Sequence, residues 1–600
     1  MKRRRVEKPE KTGRRSDAPS PELPSRPTDR PDDILRRWPV LVLAATTWLL
    51  TLPLFEPQSW WPLGFVAFVP WVVATCAARQ TRWMCFVAYL LGTAYFLMHL
   101  RWLGVTTAAG HVAASLYLAI YFVPAAWAVH HMYRRRHINV VLAFAVAWTA
   151  LELIRSRGPL AFPWFLLGHS QIRLLPMIQV ADLAGVGGVT FVLAAVNGLI
   201  ASVVLRSLPE WKTGRFRLRR PGWPSMLGVA GLVLATLVYG RTQLSRGVVT
   251  EGPRVGVVQG DFLLDTTSGY DPRKEASKAA AYFDMVDQAA SSSPDMIVLP
   301  ETPWAMILND EARQIYASAK AYHKEFVRLA QERRAYITVG AMSVIPKTQG
   351  SYPEELRHNS AFVYSPSDPE PKRYDKIHLV PFGEFVPFRY TRRLFWLYRF
   401  LNDGSFNPWG RGGNEYSLTP GRDFATFPLP SPLTPGRDAR FGITICYEDV
   451  IPHVFRGFVT DPTGNKKADF MLNISNDGWF GRGEQQPQHL VNCAFRAVEN
   501  RVAVARSVNT GVSGFINSDG SWHNLVSDPG GRPRAGGTGF RVARIPLDPR
   551  VSFYSRYGDV FSWSCAIVTL GALVDSMVLW MMGRRASRAI LDNSEKQRNP

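Results

Sequence analysis

Eight long apolar stretches constrain this chain more than any other feature. They cover about residues 38–55, 61–77, 83–100, 112–129, 138–154, 186–205, 224–240 and 560–582, and a helix needs roughly 17–25 mostly apolar residues to cross a bilayer's hydrocarbon. Trp60, Trp61, Trp83, Trp102, Trp223 and Trp580 fall near their ends, where interfacial aromatics belong. Between the seventh and eighth stretches the composition is that of a water-facing domain. The pattern predicts an α-helical membrane bundle of about eight spans carrying one polar domain. Its parts are a basic tail without fold (1–37), seven spans (38–240), the polar domain (241–558), an eighth span (559–583) and a second tail (584–600).

The formal charge of +22 has the sign of a nucleic-acid binder, but much of it lies beside the apolar stretches. Twelve Lys and Arg precede the first stretch, Arg79 and Arg82 sit in 78–82, Arg134, Arg135 and Arg136 in 130–138, six more in 206–223, and Arg584, Arg585 and Arg588 follow the last stretch. The alternate connections hold none in 56–60, Arg101 in 101–111, and Arg157 and Arg173 in 156–185. Cytoplasmic loops carry the excess, so both ends are expected inside and the polar domain outside. Anionic lipid headgroups then suit the basic clusters, and no nucleic-acid partner is expected. The first apolar run is 18 residues long with no small-x-small site after Phe55, which reads as a retained anchor. The first 35 residues lack periodicity and are expected to be disordered. Glu152, at the end of the fifth stretch, is either functional by its place in the bilayer or paired with Arg155 three residues on.

Cys76, Cys85, Cys446, Cys493 and Cys565 are too few and scattered for a disulfide framework or a zinc site, and His378, His453 and His489 add no ligand spacing. No metal is therefore expected. Within the polar domain, strands are predicted over 255–259, 296–299, 336–340, 360–364, 441–446, 470–474, 502–507 and 514–517, and helices over 275–290, 311–334 and 487–500. That order fits layered sheets covered by helices. The Gly/Pro-rich stretches 402–414 and 428–438 read as long loops, often functional in a compact domain.

Three segments could carry chemistry. Leu299-Pro300-Glu301-Thr302-Pro303 puts a carboxylate at a strand end, Tyr374-Asp375-Lys376 through Phe382-Gly383-Glu384 is a charged loop, and Ile445-Cys446-Tyr447-Glu448-Asp449 puts a thiol at the end of an apolar strand. A thiol becomes a nucleophile as thiolate, a nearby ammonium favours that form, and a carboxylate can receive the proton. The ammonium can then face the oxyanion of a tetrahedral intermediate. Glu, Lys and Cys thus suffice for acyl transfer through a thioester, without a histidine base.

In this order the segments resemble the nitrilase superfamily, whose catalytic set is Glu, Lys and Cys. With the membrane half, residues 38–582 resemble the apolipoprotein N-acyltransferases of bacterial membranes. The resemblance rests on Glu152 with Phe162-Pro163-Trp164 and His169-Ser170-Gln171, Val258-Gln259-Gly260-Asp261, Pro300-Glu301-Thr302, Tyr374-Asp375-Lys376 through Val386-Pro387, Cys446-Tyr447-Glu448, Asn473 through Gly481, and Tyr554 through Asp559. It implies an extracytoplasmic α/β nitrilase-like domain of α-β-β-α layers. Glu301 would be the general base, Lys376 the oxyanion stabiliser and Cys446 the nucleophile. Glu384, Tyr447 and Glu448 would support them, Asn359 and Trp479 would shape the pocket, and the N–H after Cys446 would be a second oxyanion donor. Tyr270 stands, after a longer segment, where relatives carry a Trp. The implied reaction moves an acyl chain from a membrane phospholipid, through a Cys thioester, to the α-amine of a diacylglyceryl-cysteine that begins an apolipoprotein. It implies a multi-pass protein of the bacterial inner membrane with its catalytic domain in the periplasm, acting as a monomer without cofactor. The alternatives from the residues are a membrane-tethered amidohydrolase using the same three side chains, and a catalytically inactive membrane scaffold.

Overall fold

The computed structural model describes residues 35–598 except 213–214, 216, 264–270, 347–354, 389–390, 403–416, 431–436, 527–533 and 535. The basic tail before Leu35, Tyr270 and almost all of the 402–414 loop lie outside the described residues.

Every one of the eight apolar stretches contains helix. Four helical segments are long and apolar enough to cross a membrane by length and composition: Ala108–Arg134, Ala181–Trp211, Trp223–Leu244 and Val560–Arg585. The others are shorter or interrupted. The 61–77 stretch carries Pro62 and Pro70, which lack the N–H a helix interior needs, and resolves into a short turn and the helix Val69–Ala77. Only 17% of the Trp223–Leu244 apolar window and 11% of the Val560–Arg585 window is buried, and Leu227, Leu234, Ile567 and Leu570 are each more than 60% exposed. An apolar surface that large calls for an apolar solvent.

The polar domain is built from two six-stranded sheets. We number its strands β1 (Thr250–Gln259), β2 (Met296–Val298), β3 (Tyr336–Pro346), β4 (Glu355–Tyr364), β5 (Lys372–Asp375), β6 (Thr426–Leu429), β7 (Ala439–Ile445), β8 (Phe470–Ser475), β9 (Ala503–Val508), β10 (Gly514–Ile516), β11 (Trp522–His523) and β12 (Gly539–Leu547). One sheet has the order β12-β1-β2-β3-β4-β5 and the other β11-β10-β9-β8-β7-β6. In each, three consecutive strands run parallel, β1-β2-β3 and β7-β8-β9, and the outer pairings are antiparallel. Helices Pro272–Ala290 and Ala317–Arg333 cover the outer face of the first sheet through Tyr282, Val286, Phe326 and Leu329. Helices Pro452–Val459 and Gln485–Asn500 cover the second. The inner faces meet directly, and the Ser507 hydroxyl on β9 donates to the carbonyls of Val258 (2.8 Å) and Val298 (2.9 Å) in the other sheet. The layers are therefore helix, sheet, sheet, helix.

Each of the eight predicted strands is present. The predicted 311–334 helix is broken: Asp310–Ile315 and Ala317–Arg333 are separated by Tyr316 in an extended conformation (φ −108°, ψ 119°). The polar domain is pinned to the helical half by buried polar contacts. Arg501 pairs with Asp182 (2.5 Å) and with the Gln179 side chain (2.7 Å), and Glu499 accepts the Val186 N–H (2.9 Å) beside the break in the long helix at Gly185.

Candidate active site

Parallel strands deliver their C-terminal ends to one side of a sheet, and ligands in α/β folds sit at that edge. Glu301 follows β2, Cys446 follows β7 and Asn476 follows β8. Lys376 follows β5, where its N–H donates to the Asn359 carbonyl on the neighbouring β4 (2.8 Å). The turn that presents Glu301 lies against β3 at Gly340, whose Cβ, if it had one, would stand 2.6 Å from the Glu301 Cα. A glycine is required there.

Glu301, Lys376, Asn359 and Glu384 form one cluster. Glu301 is 5% exposed and Lys376 1%. The Lys376 ammonium donates to Glu384 Oε1 (2.9 Å) and Glu301 Oε1 (3.3 Å). The Asn359 amide bridges the same two oxygens, at 2.7 Å to Glu301 and 2.9 Å to Glu384. Glu301 Oε2 accepts the Asn476 N–H (2.9 Å) and Glu384 Oε2 that of Val380 (2.8 Å). Each carboxylate is thus held at both oxygens. Burial pushes the Glu301 carboxyl up, and the Lys376 charge partly offsets it. Burial alone would lower Lys376, but the two carboxylates hold it well above its ordinary value, so it stays an ammonium.

Cys446 has a left-handed backbone (φ +50°), a conformation that costs a side-chain-bearing residue energy and marks functional turns. Burial and the Glu301 charge push its thiol well above the ordinary range, while Lys376 pulls it back. Cys446 at rest is therefore a thiol, within electrostatic reach of the Glu301 carboxylate and the Lys376 ammonium. Glu448, fully buried, locks this turn to the lysine loop. One oxygen accepts the N–H groups of Ile377 (2.7 Å) and His378 (3.0 Å), the other that of Ile445 (2.8 Å), and the Tyr374 hydroxyl donates to both (2.7 and 2.8 Å). Burial brings its carboxyl up to about 7, against the pull of those donors. Tyr447 turns toward the membrane half, and its hydroxyl donates to the Ala161 carbonyl (2.9 Å). Trp479 lies on the turn Asp477–Phe480, 41% exposed, its carbonyl accepting the Thr106 hydroxyl (2.8 Å).

A second buried cluster was not anticipated from sequence. His489 donates through both ring nitrogens, to Asp477 Oδ1 (2.9 Å) and Asp449 Oδ1 (2.8 Å), and Arg506 closes the ring on Asp449 (2.7 Å) and Asp477 (3.3 Å). Two anions and two cations balance. Burial disfavours the imidazolium, but the two aspartates outweigh it and raise His489 to about 9. Asp449 ends the Cys446 turn, so the ring is tied directly to that turn. One signal was available: Arg506 lies inside a strand of otherwise small and β-branched residues, and a charge there must be paired.

Glu152 feels the Arg155 charge but shares no hydrogen bond with it. It accepts from Leu167 N–H (2.7 Å), the Thr190 hydroxyl (2.6 Å) and the Trp148 indole (3.1 Å), while Arg155 turns to backbone carbonyls of the 162–165 loop.

Residues 44–199 match the apolipoprotein N-acyltransferase N-terminal domain and residues 254–533 the carbon-nitrogen hydrolase domain. An apolipoprotein N-acyltransferase of Geobacter metallireducens is 31% identical over 532 residues, covering 84% of this chain and 89% of its own. One from Bradyrhizobium diazoefficiens is 26% identical over 554 residues, covering 87% and 92%. Among solved structures, an amidase from Nesterenkonia sp. is 15% identical with a TM-score of 0.34, over 53% of this chain and 98% of that one. The chain belongs to the apolipoprotein N-acyltransferase family.

Proposed function

We propose that this protein transfers an acyl chain from a membrane phospholipid to the α-amine of an S-diacylglyceryl-cysteine at the start of an apolipoprotein, giving the triacylated lipoprotein. The observation that carries it is the buried Glu301–Lys376–Glu384 cluster facing a strained Cys446 turn, in a chain of this family. In the first half-reaction Cys446 Sγ attacks the ester carbonyl while Glu301 takes the thiol proton. The Lys376 ammonium stabilises the oxyanion, a role that fixed charge fills best in a dry site. As the intermediate collapses, Glu301 returns the proton to the departing lysophospholipid oxygen and the thioester remains. The acceptor amine then attacks the thioester and Glu301 removes its proton; as the C–S bond breaks and the amide leaves, Glu301 passes that proton to the Cys446 sulfur, restoring the thiol and the carboxylate. Glu384 and Asn359 fix Lys376 and Glu301, Tyr447 and Glu448 fix the turn, and the Tyr447 N–H is a second oxyanion donor. Trp479 and Tyr270 are proposed to contact lipid.

Two lipid substrates call for a membrane-embedded enzyme. We read eight spans and the boundaries 1–37, 38–240, 241–558, 559–583 and 584–600, with the catalytic domain on the extracytoplasmic, periplasmic face of the inner membrane. The alternating Lys and Arg counts support that orientation, and the flanking of the polar domain by Trp223–Leu244 and Val560–Arg585 supports its being anchored at both ends. The test is the mass of a synthetic diacylglyceryl-cysteine peptide incubated with phospholipid and the detergent-purified protein. A gain of one acyl chain that vanishes with Cys446→Ala supports the reading. No gain, with soluble amides hydrolysed instead, refutes it in favour of a tethered amidohydrolase.

A further inference from the structure

Charges buried inside an apolar helical bundle are costly and persist where something uses them. Glu152 and Arg155, both 3% exposed on helix Val140–Arg155, attract each other as charges, yet neither spends a hydrogen bond on the other. Both are turned to one loop. The Arg155 guanidinium donates to the carbonyls of Phe162 (3.2 Å), Trp164 (2.6 Å) and Phe165 (3.4 Å), and lies 5.3 Å above the Phe96 ring. Glu152 accepts the Leu167 N–H, and the Thr190 hydroxyl that it binds accepts in turn the N–H of Gly168 (3.0 Å). Residues 162–168 are therefore gripped from the membrane side at five backbone positions. The grip holds a strained conformation: Phe165 has φ +55°, rare for a bulky residue, and its carbonyl accepts from Arg155 and from the Tyr95 hydroxyl (3.3 Å).

The other side of this loop faces the active site. Tyr447, next to the nucleophile, donates to the Ala161 carbonyl and lies 6.3 Å from the Phe162 ring. Trp164 donates to Gln488 (3.3 Å), and its ring lies 5.4 Å from His489 of the charged ring tied to the Cys446 turn. We propose that Glu152 and Arg155 are positioning residues for acyl transfer. They hold the 161–168 loop as a rigid floor in the membrane half, and Tyr447 transmits that floor to the Cys446 turn. The inference rests on Cys446 as nucleophile. It adds that the membrane half helps set the geometry of the thiol besides presenting lipid.

The test is a double-mutant cycle between Arg155→Lys and Tyr447→Phe. A lysine's single compact ammonium cannot reproduce the planar fork that holds Phe162 and Trp164 from Nη1 and Phe165 from Nη2, and Tyr447→Phe removes the joint alone. Two rates are read in detergent: acyl transfer to the lipopeptide, and alkylation of Cys446 by iodoacetamide, followed by the mass of its peptide. Alkylation reports the turn whatever the acyl acceptor is, so failure of the proposed function and failure of this inference are distinguishable. A small displacement of reacting atoms costs up to about 10²-fold. Arg155→Lys should therefore lower kcat about tenfold with KM for the lipopeptide unchanged, slow alkylation as well, and do little further in the Tyr447→Phe background. An equal factor in both backgrounds, or no effect on either rate, overturns the inference. If Arg155→Lys does not fold, Glu152→Gln, which keeps the shape and removes the charge, runs the same cycle with the same two outcomes.

Discussion

The four-charge ring joined to the Cys446 turn makes a quantitative pH prediction. A histidine in an unfolded chain releases its proton near 6.5, whereas folded His489 keeps it up to about 9 because Asp449 and Asp477 accept from both ring nitrogens. The folded state therefore binds this proton more tightly. The stabilisation is complete below pH 6.5, declines as the pH rises, and is gone above about 9. The gap between 6.5 and about 9 corresponds to about 3 kcal/mol, which at roughly 2 °C per kcal/mol is about 6 °C in Tm. The assay is thermal unfolding of the detergent-solubilised protein between pH 6 and 9.5, for the native sequence and for His489→Gln. Other groups titrate in both, so the difference between the two curves isolates this residue. It should be largest near pH 6 and shrink toward zero by pH 9.5. A difference that stays constant over the range would show that His489 is not held as an imidazolium, and the reasoning would fail.

Other outcomes follow from the same geometry. Glu301→Gln should lower acyl transfer about 10³-fold, as loss of a general base does, yet speed alkylation of Cys446 at neutral pH, because the carboxylate is one of the charges holding the thiol up. Lys376→Met should slow both reactions, acyl transfer by about 10²- to 10³-fold, since the thiolate and the oxyanion lose their one cation in the Glu301–Glu384 cluster. Glu448→Gln forces an amide N–H against a backbone N–H of Ile445, Ile377 or His378, costing about 1–3 kcal/mol of stability; unfolding and acyl-transfer kinetics should show a lower Tm together with a lower kcat.

The residues that sequence located share a property: each lies within a few positions of a strand with an unmistakable apolar signature. Glu301 and Cys446 end β2 and β7, and the strand fixes where the side chain points. Glu448 and Glu384 were legible as neighbours of those residues, though what they hold, three N–H groups and a hydroxyl from two loops for Glu448, depends on tertiary register. The Asp449–His489–Asp477–Arg506 ring was illegible because its members come from four elements and meet only through the β7-β8-β9 order. Of the four missed strands, β6 and β11 are only four and two residues long, β6 running into the predicted 428–438 loop at Pro428-Leu429, and polarity hid the other two. β5 reads Lys-Arg-Tyr-Asp at a sheet edge, and β12, on another edge, breaks its apolar run with Arg541 and Arg544. Glu152 is legible as a charge in an apolar run and helical spacing points to the Arg155 charge, but its hydrogen-bond partners Thr190 and Leu167 are 38 and 15 residues away.

The most direct test of the central claim is to trap the first half-reaction alone. Protein incubated with phospholipid and no acceptor, then digested and weighed, should carry one acyl chain on the Cys446 peptide. Hydroxylamine should release that chain, and the diacylglyceryl-cysteine peptide should discharge it as the amide, while Cys446→Ala carries none. An acylated lipopeptide formed with no acyl group ever on Cys446, or formed equally well by Cys446→Ala, would contradict the account.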